Sequence, residues 1–316
     1  MKRAAFLIVL VASGLAAFGT SIPSASASTT TTTTTATPTT AGLGAVRGTG
    51  GLKTVNVRSG GLQRYYLLYV PNGDSAAHPL PLVLAYSGAG DSAADTAQSS
   101  GLLSVAQQRH NIIVAFPEGY DETWNDDAGN PPAEAAHVND IAFSKKMVAG
   151  IESRYPVDLT RVVATGLSNG AILTELLGCR LAADLTLIVP VEGQMSPTFS
   201  RTCGPAMPIS VYEIHGTGDQ AIPYGGGTFS GVGGPVEVLS APASVARWAT
   251  VDACAKAKTT AKSGNTVLTK YKGCTDGVTV TLDSIRGGQH VWPSNFGGIL
   301  VGAITSLPST RRAAGS

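Results

Sequence analysis

The sequence predicts an α/β fold built on a mostly parallel, doubly wound sheet with helices on both faces. Short apolar runs alternate along the chain with longer amphipathic stretches. Several of the short runs are apolar throughout, which is typical of strands that are covered on both faces and are therefore parallel. The regular alternation of strand with helix favours a doubly wound sheet.

The predicted strands are short runs rich in β-branched and apolar residues. Residues 64–70 alternate apolar with polar side chains, so we expect an outer, antiparallel strand there. The other strands are expected at residues 80–86, 111–116, 161–165, 185–191, 209–214 and 278–285. The amphipathic stretches between them predict helices at residues 101–110, 138–155, 171–183 and 243–257. The second helix should end before Pro156, because proline disfavours the helical conformation of the preceding residue.

The N-terminal residues have the pattern of a secretory signal. Lys2 and Arg3 form a basic start, an apolar stretch follows, and Ala25-Ser26-Ala27 provides a small-residue cleavage site. A membrane anchor is the alternative, but the apolar stretch is short and is broken by Ser13 and Gly14. The sequence therefore predicts an exported, extracellular protein with no stable membrane insertion after cleavage.

Composition divides the chain into four parts. A signal peptide at residues 1–27 precedes a Thr-rich linker at 28–47, which has almost nothing to bury and is expected to be disordered. Residues 48–308 are long enough for one α/β domain, and residues 309–316 are expected to be a flexible tail. Signal cleavage removes two of the 22 basic residues and leaves all 21 acidic ones, so nothing recommends a nucleic-acid partner.

Four cysteines in an exported chain are expected to form two disulfides. The sequence allows three pairings, of which we favour the local ones, Cys179–Cys203 and Cys254–Cys274. Each would close a loop of about 20 residues and stabilise the fold by roughly 3 kcal/mol in the chain-entropy model. A zinc site is the competing interpretation, but no Cys-x-x-Cys or adjacent histidine completes a tetrahedral ligand set.

The most informative motif is the pentapeptide Gly166-Leu167-Ser168-Asn169-Gly170, between a predicted strand and a predicted helix. A serine flanked by glycines at such a turn is the nucleophile elbow of an α/β-hydrolase. The turn is tight enough that side chains at both glycines would collide with the neighbouring strand and helix. It would expose the Ser168 hydroxyl near the positive end of the following helix. In so glycine-rich a chain the motif is weakly specific when taken alone.

Two further polar residues follow predicted strands in the order that this fold requires. Asp219 lies just after the strand at 209–214, and His290 lies just after the strand at 278–285. Ser…Asp…His is the chain order of α/β-hydrolases, whose active sites lie beyond the carboxyl ends of the strands. We therefore expect His290 to act as general base and Asp219 to orient it.

Other residues compete for these two roles. His215 is the real competitor for the base, but its place beside the acid loop suits a structural hydrogen bond better. The remaining histidines precede a strand or lie near helix ends; they are His78, His110 and His137. Asp252 and Asp276 could replace Asp219, but neither directly follows a central strand. A turn aspartate in a Gly-rich loop is the plain structural alternative for Asp219 itself.

An ester hydrolase needs backbone N–H groups aimed at the oxyanion of its tetrahedral intermediate. One donor should be Asn169, which follows the nucleophile. The other should be Ala89 or Gly88, in the loop that follows the strand at 80–86.

Three aromatic residues in predicted loops could line an acyl-binding cleft: Trp292, Trp124 and Tyr224. The alternative for Trp124 and Tyr224 is that they only pack the loops together. Dispersed acidic residues of the Gly/Pro-rich loop are expected to be solvated; they are Asp126, Asp127 and Asp140. We therefore predict no metal and no cofactor.

Six segments together resemble the secreted polyhydroxybutyrate depolymerase and feruloyl esterase group of α/β-hydrolases, similar to carbohydrate esterase family 1. These segments, spread over residues 64–293, are YYLLYVP, PLVLAYSGAG, IIVAFPEGYDETW, RVVATGLSNGA, IHGTGDQAIPY and GGQHVWP. The resemblance implies a carboxylic ester hydrolase with Ser168, Asp219 and His290 as its triad, and it supports the two local cysteine pairs. One departure is Ser87, where members of this group usually carry histidine.

The expected function is that of a secreted serine esterase that works through an acyl-enzyme. A polyester or oligoester, as for polyhydroxybutyrate depolymerases, is the first expected substrate. Feruloyl or acetyl-xylan esters of polysaccharides are the alternative. Two rivals of other classes are a secreted acyltransferase with the same triad and a non-catalytic polymer-binding module.

Overall fold

A ten-stranded sheet runs through the centre of the fold in a computed structural model that describes residues 48–73, 75–129 and 132–308. The predicted signal, linker and tail lie outside the described residues. In chain order the strands are β1 Leu52–Ser59, β2 Leu62–Tyr69, β3 Leu80–Tyr86, β4 Ile113–Pro117, β5 Val157–Leu167, β6 Leu187–Val191, β7 Ser210–Gly216, β8 Gly227–Gly231, β9 Gly234–Val238, β10 Ala255–Ser263, β11 Thr266–Lys272 and β12 Val280–Ile285. Strands β8 and β9 form a separate hairpin.

The order of the strands is β1-β2-β4-β3-β5-β6-β7-β12-β11-β10. The six central strands, from β4 to β12 in this order, are parallel. Antiparallel pairs, β1 with β2 and β10 with β11, form the two edges of the sheet. The predicted doubly wound, mostly parallel sheet is confirmed.

Helices cover both faces of the sheet. They are α1 Ala93–Ser99, α2 Leu102–Arg109, α3 Asp140–Glu152, α4 Asn169–Arg180, α5 Pro197–Thr202, α6 Ala241–Val251 and α7 Phe296–Thr305. Helices α3, α4 and α6 pack on one face with Leu82 and Leu84 of β3. Helices α1, α2 and α7 pack on the other face with Val83 and Ala85 of the same strand. Burial of alternate residues on opposite faces explains why β3 is apolar throughout.

All seven predicted strands are present, but the largest error in a predicted boundary is at the last predicted helix. The helix expected at residues 243–257 ends at Val251, and the chain enters strand β10 at Ala255. The left-handed conformation of Ala253, with φ of 48°, separates the two elements. The predicted outer strand at residues 64–70 is antiparallel, as expected, but β1 pairs outside it.

The structure contains the disulfides Cys179–Cys203 and Cys254–Cys274, which are the local pairs favoured from the sequence. The first joins the end of α4 to the end of α5, and the second joins the start of the β10–β11 hairpin to its end. Within the described residues, no helix has the length and apolar character needed to cross a membrane.

Candidate active site

Ser168 lies in a strained turn between β5 and α4. Its backbone has φ of 58° and ψ of −122°, a conformation that non-glycine residues rarely adopt. A Cβ atom on Gly166 would lie 2.3 Å from the carbonyl oxygen of Gly170. A Cβ atom on Gly170 would lie 2.4 Å from the carbonyl oxygen of Ser87. The two glycines of the motif are therefore needed for close backbone approach, as the sequence predicted.

Asp219 and His290 are brought together from the loops after two neighbouring parallel strands, β7 and β12. His290 Nδ1 lies 2.7 Å from Asp219 Oδ2. Asp219 Oδ1 accepts hydrogen bonds from the backbone N–H groups of Ala221, at 2.8 Å, and Ile222, at 3.0 Å. Because both carboxylate oxygens are engaged, the carboxylate is fixed in one orientation and can hold the imidazole with Nε2 directed away from it.

The environment of Asp219 keeps its carboxylate ionised. Partial burial by itself raises the pKa of this carboxyl group, but hydrogen bonds from His215, His290 and Ile222 outweigh burial. The net result is a pKa well below the usual range of an aspartate. An ionised carboxylate at this position can stabilise an imidazolium on His290.

His215 lies behind this pair and not beside Ser168. Its side chain is fully buried, and Nε2 lies 3.0 Å from the carbonyl oxygen of Ile222 and 3.5 Å from Asp219 Oδ2. This agrees with the structural hydrogen-bonding role that the sequence favoured for His215. The position of His215 leaves His290 as the histidine whose ring reaches both Asp219 and the open cleft.

Glu192 is a buried carboxyl group of this cluster that the sequence-based reasoning missed. It directly follows strand β6, and both side-chain oxygens accept from the backbone N–H of Gly216, at 3.0 and 2.8 Å. Burial, with a further contribution from the nearby Asp219 carboxylate, raises the pKa of Glu192 to about 9. The rule that polar residues at the ends of central strands mark the site could have found it.

Glu192, His215 and Asp219 are also a possible metal-ligand set among the described residues, since their ligand atoms lie within 4.8 Å of one another. Each of these side chains already bonds to protein: Glu192 to Gly216, His215 to Ile222, and Asp219 to His290. We therefore assign the cluster to positioning of the Asp219–His290 pair.

The expected oxyanion donors lie on two segments that converge at Ser168. Asn169 is the first residue of α4, where the backbone N–H has no partner inside the helix. Gly88 is buried, and a Cβ atom placed on it would lie 3.6 Å from Ser168 Cβ. Ala89 follows in a turn that closes with a hydrogen bond from Asp91 N to the carbonyl oxygen of Gly88.

An open cleft of about 550 Å³ adjoins these residues. It is lined by Leu167, His290, Val291 and Trp292 and, from the α1 side, by residues that include Asp91 and Asp95. Trp292 is mostly buried and packs against Phe296, with ring centroids 4.6 Å apart. Among the described residues, no hydrogen bond links Ser168 Oγ to His290. Catalytic hydrogen bonds often tighten only when substrate is bound.

The other two aromatic candidates do not line this cleft. Trp124 is completely buried, and its indole N–H donates to the carbonyl oxygen of Ser87 at 3.0 Å. The Tyr224 hydroxyl group lies 2.8 Å from Ser284 Oγ, and the ring meets His215 edge-on at 5.7 Å. These contacts favour the alternative that both residues pack the loops together.

The expectation of solvated acidic residues is wrong for two of the three. Asp126 is fully buried and accepts from the Asn169 side chain at 2.7 Å. Asp140 is buried in an ion pair with Arg64 at 2.9 Å. Only Asp127 is exposed. Nothing in the spacing of these residues indicates burial, because their partners lie on distant segments of the chain.

No family model matches the chain. The chain is 27% identical over 230 residues to feruloyl esterase B of Piromyces equi, an alignment that covers 72% of this chain and 42% of that protein. It is 26% identical over 184 residues to feruloyl esterase C of Emericella nidulans, covering 57% and 61% of the two chains. The chain thus spans less than half the length of the first relative and about three fifths of the second.

The acetyl xylan esterase from Aspergillus awamori has a similar structure, with a TM-score of 0.57 and 15% sequence identity. The match covers 77% of this chain and 95% of that one. This likeness shows the α/β-hydrolase fold. With the relatives found by sequence, it confirms the predicted resemblance to esterases of that fold.

Proposed function

We propose that the protein is a carboxylic ester hydrolase in which Ser168 is the nucleophile, His290 the general base and Asp219 the orienting acid. The observation that carries this proposal is the 2.7 Å contact between His290 Nδ1 and Asp219 Oδ2, beside the strained Ser168 turn. The relatives found by sequence include esterases and support the same class of reaction.

The first half of the reaction forms an acyl-enzyme. His290 Nε2 takes the proton of Ser168 Oγ as that oxygen attacks the ester carbonyl carbon. The resulting imidazolium is stabilised by the ionised Asp219. When the tetrahedral intermediate collapses, the bond from carbon to the alcohol oxygen breaks and His290 gives its proton to the departing alcohol.

The second half releases the acid. Water loses a proton to His290 and attacks the acyl carbon, and the bond to Ser168 Oγ then breaks as the proton returns to the serine. In both halves the intermediate carries its negative charge on the former carbonyl oxygen. We assign the backbone N–H of Asn169 and that of Ala89 or Gly88 to stabilise this charge.

The substrate class that we propose is an ester carried by a polysaccharide, such as a feruloyl or an acetyl ester. Two relatives are named feruloyl esterases, and a structural neighbour is named an acetyl xylan esterase. Polyester oligomers, the first expectation from the sequence, become the second candidate, because the relatives found by sequence give no specific support for them.

We also propose that the protein is exported. The N-terminal residues have the composition of a secretory signal, and all four cysteines are paired. Stable disulfides are typical of oxidising compartments outside the cytosol.

A substrate panel tests this proposal. Purified mature protein would be assayed with methyl ferulate, acetylated xylan, hydroxybutyrate oligomers and short p-nitrophenyl esters. We expect turnover of at least one ester class, its loss in Ser168→Ala, and its retention in the matched control Ser104→Ala, which changes an exposed serine of α2. Turnover by Ser168→Ala equal to that of the unmodified protein would contradict the proposal.

A further inference from the structure

We propose that a buried hydrogen-bonded network positions both halves of the oxyanion hole. The network is centred on residues 122–126 and reaches Ser87 on one side and Asn169 on the other. The inference rests on the proposed function, because it concerns how the donors of that reaction are held. The network joins Asp126, Asn169, Trp124 and Ser87, of which none is more than 2% exposed. We call it the Trp124 network. Asn169 supplies a proposed donor N–H itself, and the other members are positioning residues that hold the segments carrying the donors.

On the nucleophile side, the network holds Asn169 through its side chain. Asn169 Nδ2 donates to Asp126 Oδ2 at 2.7 Å and to the carbonyl oxygen of Trp124 at 3.2 Å. Asn169 Oδ1 accepts from the backbone N–H of Trp124 at 2.9 Å. Both ends of the carboxamide are therefore engaged. Since the proposed oxyanion donor is the backbone N–H of this same residue, fixing its side chain restrains the peptide group that must face the substrate.

On the other side, the network holds the loop that carries Gly88 and Ala89. The Trp124 indole N–H donates to the carbonyl oxygen of Ser87 at 3.0 Å. The backbone N–H of Gly90 donates to the carbonyl oxygen of Glu122 at 2.9 Å. The two candidate donors thus lie between two fixed points. This arrangement holds the loop through the backbone groups of Ser87 and Gly90.

The network is itself fastened to the core. Asn125 N donates to Asp140 Oδ2 at 2.9 Å, and Asp140 Oδ1 accepts from Arg64 at 2.9 Å. The Trp124 ring meets Tyr86 of β3 edge-on, with centroids 5.2 Å apart. A rigid support of this kind is what an oxyanion hole requires, because its donors stabilise charge only if they are aligned before the reaction begins.

A purely structural role is the alternative, since buried polar groups must be hydrogen-bonded in any fold. The two roles differ in what a substitution changes. A donor to the oxyanion stabilises the transition state and contributes little to substrate binding. Its misalignment therefore lowers kcat and leaves KM nearly unchanged. The loss of a packing contact lowers stability without selectively lowering kcat.

The test compares Trp124→Phe with Trp248→Phe. Trp248 is a matched control, because it is also fully buried and its indole N–H also donates to a buried acceptor, Glu175 on α4. We expect both variants to lose stability. Only Trp124→Phe should lower kcat, by about 10- to 100-fold with KM within twofold, which is less than the roughly 100- to 1000-fold cost of removing an oxyanion donor altogether, because the donor is misaligned and not lost. Its inhibition constant for a trifluoromethyl ketone, which binds as an oxyanion, should rise by a similar factor.

A charge swap provides rescue. Asn169→Asp alone places two carboxylates together, and Asp126→Asn alone weakens the acceptor of the Asn169 carboxamide. We expect each single change to lower kcat, and we expect the double change to recover part of the loss, because it restores a donor and an acceptor at this contact.

The inference is overturned if folded Trp124→Phe keeps the kcat of Trp248→Phe, or if the ketone binds both equally well. Either result in an otherwise active enzyme leaves the proposed function intact. If the unmodified protein neither turns over an ester nor reacts with a fluorophosphonate at Ser168, the proposed function fails and this inference fails with it.

Discussion

His290 Nδ1 lies 2.7 Å from Asp219 Oδ2, although 71 residues separate them in the chain. They meet because β7 and β12 are neighbouring parallel strands, so the loops at their carboxyl ends lie side by side. The nucleophile turn follows β5 at the same edge of the sheet. Asp219 is therefore the first residue to substitute.

Asp219→Asn should lower kcat by about 10⁴-fold while the protein stays folded, because the amide can no longer hold His290 in the required tautomer or stabilise its charged form. Steady-state kinetics on the most rapidly turned-over ester, with circular dichroism for folding, provides the measurement. The control is Asp121→Asn, at an exposed aspartate of the β4–α3 loop. A loss of less than tenfold would show that another group supports the histidine.

Gly166→Ala should destabilise the fold by about 1–3 kcal/mol and abolish turnover, because the new methyl group would overlap backbone atoms of the nucleophile turn. Gly150→Ala is the matched control. Gly150 lies inside helix α3 with open space around its Cβ position, so alanine there should stabilise by up to about 1 kcal/mol. Urea denaturation would compare the two. Equal stabilities and activities would mean that the turn has more room than the structure indicates.

The free energy of unfolding should fall as the pH rises from about 4.5 to about 8. Glu175 and Glu213 are completely buried beside each other, and burial raises the pKa of both, that of Glu175 to about 8. In the unfolded chain these carboxyl groups ionise near 4.5, whereas in the folded chain they keep their protons until the higher pKa is reached. Each group that is protonated only in the folded state costs about 1.4 kcal/mol of stability per pH unit across that window.

Glu175→Gln tests this dependence, because glutamine can still accept the Trp248 hydrogen bond but does not ionise. Denaturation at pH 4.5 should show little difference between the two proteins. At pH 8 the variant should be the more stable one, and its stability should depend less steeply on pH. An unchanged pH slope would show that the buried pair does not titrate in this range.

The cleft should discriminate against anionic esters. Asp91 and Asp95 contribute to its lining near His290, and the two carboxylates repel negative charge on a substrate. Neutral sugar esters should therefore be turned over with higher kcat/KM than hydroxybutyrate oligomers that end in a free carboxylate. Asp91→Asn should narrow the difference, and so should added salt, which screens exposed charges. A preference for carboxylate-ended oligomers would contradict this prediction and revive the polyester substrate.

The central sheet could be predicted from the sequence because its strands are buried on both faces and are therefore apolar throughout. Strands β10 and β11 at one edge could not, because they are rich in lysine and threonine and carry no apolar run. Lysine suits a sheet edge, where it discourages pairing with another chain. The short helix α1 was also missed, since it begins with the polar capping residues Ser92 and Asp95 and has few apolar positions.

Some residues of the candidate active site could likewise be predicted from the sequence, and others could not. Ser168, Asp219 and His290 were predicted from the glycine-flanked motif, from their positions after strand ends and from their order along the chain. Trp124 and Asp126 have partners more than 35 residues away, and only the folded loops bring those partners within hydrogen-bonding distance. Periodicity and motif spacing report contacts within an element, and they carry no information about which loops meet.

Reaction of the folded protein with a fluorophosphonate, followed by mass spectrometry of its peptides, tests the central claim most directly. The nucleophile assignment requires one adduct per chain on Ser168, formed much more slowly in His290→Ala and not at all in the urea-unfolded protein. An adduct on a different residue, or none on a folded protein that still hydrolyses esters, would contradict it.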